Sequence, residues 1–126
     1  MKNNENCCIA KILKVIDVLQ KNSNNDCLNE GCDKPFLGSN NFLNYNTRPI
    51  TLYTRSGNLF SVEYYVDNVL NTSSTFRVEG VKGCCAKLRI LVPNENDGYN
   101  STDEFVTVNL ECFCVVRCLN DTFVEF

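Results

Sequence analysis

The chain has 126 residues and contains no histidine, no tryptophan and a single methionine. Without histidine there is no Ser–His or Cys–His pair for nucleophilic catalysis and no His-containing metal site, and the commonest general acid–base is missing. No run approaches the roughly 18 apolar residues of a membrane span. Twelve basic residues against fifteen acidic ones leave a formal charge of −3, whereas nucleic-acid binders carry a clear basic excess. The N-terminus, MKNNENCCIAKILKVIDVLQ, lacks the unbroken apolar core of a signal peptide. Lys11 and Lys14 interrupt it, Asp17 follows, and no small-residue cleavage site appears. No apolar segment precedes Cys7, which removes a lipoprotein reading. There is no Gly-rich phosphate loop, and Glu95 with Asp97, or Asp103 with Glu104, reads as solvated loop. These absences predict a chain that is not an enzyme, uses no cofactor, binds no nucleic acid and inserts into no membrane.

What is abundant is cysteine: Cys7, Cys8, Cys27, Cys32, Cys84, Cys85, Cys112, Cys114 and Cys118. Nine is high for a chain without an export signal, and an odd number leaves at least one thiol over after internal pairing. Three uses compete. A zinc-thiolate module could draw on Cys27-x4-Cys32 with Cys112-x-Cys114-x3-Cys118, but no pair has CxxC spacing. Redox catalysis wants CxxC at a helix N-terminus beside a βαβ unit, and neither is visible. Disulfide bonding remains, within or between chains. Vicinal Cys84-Cys85 near a turn would send one thiol to each face of a strand, so that one can pair inside while the other points out. Cys7 and Cys8 at the start of a helix suit cross-links between molecules, whereas Cys112 and Cys114 could equally be small core hydrophobes.

Local patterns divide the chain into a helical arm (1–21), a loop-rich segment (22–47) and a β-sandwich (48–126). Ile9, Ile12, Leu13, Ile16 and Leu19 recur at helical spacing over residues 8–20, with Asn3, Asn4 and Asn6 as candidate caps. A helix this short needs its apolar face docked, on the domain's own sheet or on a neighbouring subunit. Clusters of Asn, Ser, Gly and Asp mark 22–47 as irregular, pinned by Phe36, Leu37, Phe42 and Leu43 and stapled by Cys27 and Cys32. From Arg48 the period becomes two. Ile50 and Leu52, then Phe60, Val62, Tyr64 and Val66, predict a hairpin around Arg55–Asn58 with Leu52 opposite Val62. Residues 68–74 read as a polar break. A second hairpin joins Phe76–Glu79 to Ala86–Leu91 and aligns Arg77, Glu79, Lys87 and Arg89 on an outer charged face. Pro93 ends the strand, and 94–102 reads as loop. The final pattern, EFVTVNLECFCVVRCL, puts Cys112, Cys114 and Cys118 on one apolar face if the strand is continuous, although strands this long usually bulge. The expected fold is mainly β: an antiparallel sandwich of about five to seven strands with one N-terminal helix.

Four collinear segments resemble a known family. They are Cys32-Asp33-Lys34-Pro35-Phe36-Leu37-Gly38; Asn46-Thr47-Arg48-Pro49-Ile50 to Tyr53-Thr54-Arg55-Ser56-Gly57; Phe76-Arg77-Val78-Glu79 with Cys85-Ala86-Lys87-Leu88-Arg89-Ile90-Leu91; and Val108-x-Leu110-x-Cys112-Phe113-Cys114 to Cys118-Leu119. Together they are similar to the cysteine-rich spore coat and exosporium proteins of the CotY, CotZ and ExsY type. The resemblance implies a structural protein made in the mother-cell cytoplasm and deposited in a spore surface layer. There it would assemble with itself, as hexamers in a two-dimensional lattice, and with other coat or exosporium proteins, and disulfides between subunits would then harden the array.

Overall fold

The computed structural model describes residues 7–21, 45–96 and 98–126. The elements are α1 (Cys8–Lys21), β1 (Ile50–Thr54), β2 (Val62–Val66), β3 (Val69–Ser73), β4 (Thr75–Lys82), β5 (Cys85–Pro93), β6 (Tyr99–Asn109), a 3-10 turn (Leu110–Cys112) and β7 (Phe113–Cys118). Among the described residues the protein is thus mainly β, with all strand pairs antiparallel and one N-terminal α-helix. The candidate caps Asn3, Asn4 and Asn6, and the segment 22–44 with Phe36, Leu37, Phe42, Leu43, Cys27 and Cys32, lie outside the described residues.

Helix α1 has the predicted apolar face, and that face docks on the chain's own sheet. Ala10, Leu13, Ile16 and Leu19 are buried, and the helix lies against β4, β5 and β7. Leu13 and Ile16 are wholly inaccessible to solvent, each contributing about 1.5–3 kcal/mol by burial. Lys21 closes the helix C-terminus and pairs with Asp17 at 3.0 Å.

Five strands hydrogen-bond in the order β6-β5-β4-β1-β7, and β2 and β3 form a separate ribbon. The larger sheet is folded over rather than flat. Strands β1 and β4 share one register pair, Ile50↔Phe76. Thr54 lies four residues to one side of that pair and Cys84 eight residues to the other, a separation of about 40 Å along extended strands. Yet the 3-10 turn reaches both ends: Leu110 N–H donates to Cys84 O at 2.7 Å and Arg55 N–H donates to Cys112 O at 3.3 Å. Only a sheet creased at Ile50 and Phe76 allows this, so β1–β7 folds back over β4–β5–β6 and encloses a sandwich-like core. Leu52, Val78, Leu88, Val108, Leu110 and Phe113 share that core with the helix face and with Tyr64 of the ribbon.

At the crease β1 splays from β4, and a side chain fills the gap. The pairing places Arg48 opposite Val78. Instead of bonding directly, Arg48 N–H donates to Gln20 Oε1 at 3.1 Å and Gln20 Nε2 donates to Val78 O at 2.7 Å. This explains a glutamine that is 4% exposed, because a buried amide survives only when both ends are bonded.

Three sequence expectations are corrected. The hairpin of β1 with residues 60–66 does not form. The turn closes with Gly57 at φ +90°, but pairing stops after Tyr53↔Leu59 and the Phe60 N–H to Leu52 O bond. Strand β1 already gives one edge to β7 and touches β4 with the other, and Phe60 turns inward onto Phe76 and Phe113 at centroid distances of 5.6 and 5.1 Å. Val62–Val66 instead pairs with Val69–Ser73, so the expected polar break is a strand. Asp67 and Asn68 both take positive φ, the two-residue hairpin geometry that Asp and Asn tolerate best. The expected loop at 94–102 is shorter, because β6 begins at Tyr99. The second hairpin does form. Its strands reach Lys82 and Cys85 around Gly83, at φ +60°, with a bulge between Val78 and Gly80. On its outer face Glu79 accepts from Arg77 and Arg89 at 2.7 and 3.0 Å. Phe105 lies under Lys87 and Arg89, and Phe126 under Arg77 and Arg89.

Candidate functional site

The final alternating segment is a fourth correction, and it carries chemical weight. It is not one strand. Asn109 Oδ1 accepts from Glu111 N–H at 3.0 Å and caps the 3-10 turn, and the register of β7 against β1 shifts between Tyr53 and Thr54. Each irregularity moves the side-chain phase. Leu110 and Phe113 therefore point inward while Cys112 and Cys114 are exposed, and only Cys118 of the three packs against the core.

The sheet crease gathers cysteines at one end of the molecule. Cys7, just before α1, forms a disulfide with Cys84 of the β4–β5 turn, with Cα atoms 6.2 Å apart at a sequence separation of 77. The expectation that Cys7 serves cross-links between molecules is thereby corrected: it is 7% exposed and bonded within the chain. Its neighbour Cys8 is exposed with a free thiol. The same split holds at the turn, where Cys84 is bonded and Cys85 is exposed and free, because adjacent strand residues face opposite ways.

Hydrogen bonds tie these positions to the 3-10 turn. Cys85 is paired in register with Asn109, and Leu110 N–H bonds Cys84 O. Arg55 Nε donates to Glu111 O at 2.6 Å, and the Cys114 thiol donates to Thr54 O at 3.2 Å. Cys7, Cys8 and Cys114 line one cavity of about 140 Å³ with Arg55 and Glu111, and Cys112 lines an adjoining open groove with Arg55 and Ser56. Among the described residues, one pole thus presents four unpaired, exposed thiols, Cys8, Cys85, Cys112 and Cys114, around a disulfide that fixes the helix to the sheet.

The other end of β7 differs. Cys118 is also disulfide-bonded; Cys27 and Cys32 lie outside the described residues. Sequence reasoning missed what surrounds Cys118. Arg48 Nε and Nη2 bond Asp121 Oδ1 and Oδ2 at 2.6 and 2.9 Å, with both side chains buried. A lone arginine in a strand pattern and an aspartate 73 residues later carry no local signal of this pairing.

As to other chemistries, among the described residues no group of three or more Cys, Asp or Glu side chains is arranged to hold a metal ion. Among the same residues no helix is long and apolar enough to cross a membrane.

Comparison with known proteins adds a family. The model of the family described as spore coat protein Z matches residues 1–104. Spore coat protein Z of Bacillus subtilis (strain 168) is 26% identical over 146 aligned positions, which span 99% of this chain and 97% of that protein. No solved structure matches. The family match takes in Cys7, Cys8, Cys84 and Cys85 and ends within β6, so Cys112, Cys114 and Cys118 are reached by the pairwise alignment.

Proposed function

This chain belongs to the spore coat protein Z family, and on that footing we propose that it is a structural, non-catalytic subunit of a spore surface layer. It assembles with copies of itself, as hexamers, into a two-dimensional lattice of the outer coat or the exosporium basal layer, alongside other proteins of that layer. Synthesis in the mother-cell cytoplasm, where thiols stay reduced, precedes oxidation at the spore surface. The observation that carries the reading is the set of four exposed, unpaired thiols gathered at one pole.

The mechanism has two stages. Non-covalent contacts repeated by symmetry build the sheet. Disulfides between subunits then oppose dissociation, because a subunit held by several neighbours cannot leave until every link is cut. Negative-stain microscopy of the expressed protein, with and without reductant, tests this. Ordered sheets that soften or break into oligomers on reduction are expected. Absence of sheets would overturn the lattice, and sheets that resist denaturant equally well with and without reductant would overturn the cross-linking.

A further inference from the structure

A disulfide between subunits needs one cysteine sulfur from each, with Cα atoms about 4.4–6.8 Å apart. Among the described residues the unpaired cysteines are Cys8, Cys85, Cys112 and Cys114, and all four are exposed at the pole built by the start of α1, the β4–β5 turn and the 3-10 turn. Cys7 and Cys84 are bonded to each other, and Cys118, at the far end of β7, is already in a disulfide. Among the described residues, a cross-link leaving the pole of one subunit therefore meets a free thiol on a second subunit only at that subunit's own pole.

We propose that the pole is a junction between copies of this chain, in which both sulfurs of each cross-link come from the set Cys8, Cys85, Cys112 and Cys114. This rests on the self-assembly reading above and names the surface it uses. The local charge is compatible with like meeting like. Exposed Arg55 and Lys82 and exposed Glu111 lie at the same end, so two poles can set opposite charges against each other. The Cys7–Cys84 bond has a positioning role, holding the backbone of Cys8 and Cys85 side by side with their thiols directed outward. In each link two thiols lose two protons and two electrons and form one S–S bond. The electrons reduce a diffusible disulfide, such as oxidised glutathione, to two thiols.

The test mixes full-length protein with its uniformly 15N-labelled form, lets it assemble, and oxidises it with oxidised glutathione. Remaining thiols are alkylated, and non-reduced peptides are mapped by fragmentation mass spectrometry that separates neighbouring cysteines. Mixed-isotope pairs report links between subunits. Pairs drawn wholly from Cys8, Cys85, Cys112 and Cys114 are expected. A mixed pair joining one of these to Cys27, Cys32 or Cys118, or complete alkylation of all four, overturns the junction.

The variant carrying Cys8→Ser, Cys85→Ser, Cys112→Ser and Cys114→Ser changes exposed positions only and keeps Cys7–Cys84. With circular dichroism unchanged, covalent oligomers should vanish from its non-reducing gels, and their persistence overturns the proposal. Pole-to-pole links without ordered sheets would sink the lattice while leaving the junction standing. Sheets whose links avoid the pole would do the reverse.

Discussion

The two ends of the β1–β7 ladder use the same pair of strands and finish in opposite ways. At the Ile50–Cys118 end the polar chemistry closes on itself. Arg48 is clamped by Asp121, Gln20 bridges Arg48 to Val78, and Thr47 and Thr122 exchange backbone bonds. Cys118 is bonded there as well. At the Thr54–Phe113 end, four thiols finish the same architecture without a disulfide partner among the described residues. The buried polar clamp is thus kept apart from the unpaired thiols, which share their end with the Cys7–Cys84 bond. The proposed cross-linking at the second end would leave the first untouched.

Substitutions at the two ends should separate the same way. The largest effect is expected from Asp121→Ala, which leaves a buried guanidinium without its bidentate partner. Denaturant unfolding should show a loss of about 3–5 kcal/mol. Next is the double change Cys7→Ala with Cys84→Ala. It frees a loop of 77 residues and should lower stability by about 2–4 kcal/mol, seen as an earlier unfolding midpoint. Gln20→Ala orphans Arg48 N–H and Val78 O and should lose about 1–3 kcal/mol, with protection of the Arg48 amide from hydrogen exchange falling first. The smallest effect on stability belongs to Cys8→Ser and Cys114→Ser, each within about 0.5 kcal/mol because the side chains are exposed. A substitution of one of the four free thiols as costly as Asp121→Ala would abolish the distinction between the ends. A harmless Asp121→Ala would show that the closed end is not what holds the monomer.

Local features were legible wherever the physics is local. The helix face of Leu13 and Ile16, the second hairpin from Phe76 to Leu91, and the charged row of Arg77, Glu79 and Arg89 all follow from side-chain period and nearby turn residues. The first hairpin was not legible, because its strand at Ile50–Thr54 pairs with β7, more than sixty residues away. That choice depends on which edges are free in the finished sheet. Asp67-Asn68 did carry a turn signal, a pair of residues that tolerate positive φ, and reading it would have found β3.

The sequence alone therefore determined the inventory: a mainly β chain with an N-terminal helix, no histidine, and an odd number of cysteines that cannot all pair within it. Those are properties of composition and short-range period, which no tertiary arrangement can alter. The fate of each sulfur was decided only by the tertiary structure. Disulfides join positions that folding makes adjacent, and Cys7 meets Cys84 because the helix docks across a turn 77 residues further on. Cys112 and Cys114 face solvent because a three-residue turn and a register shift move the strand out of phase with its own pattern. A fold that creases its sheet at Ile50 and Phe76 brings these separate accidents of phase to one pole.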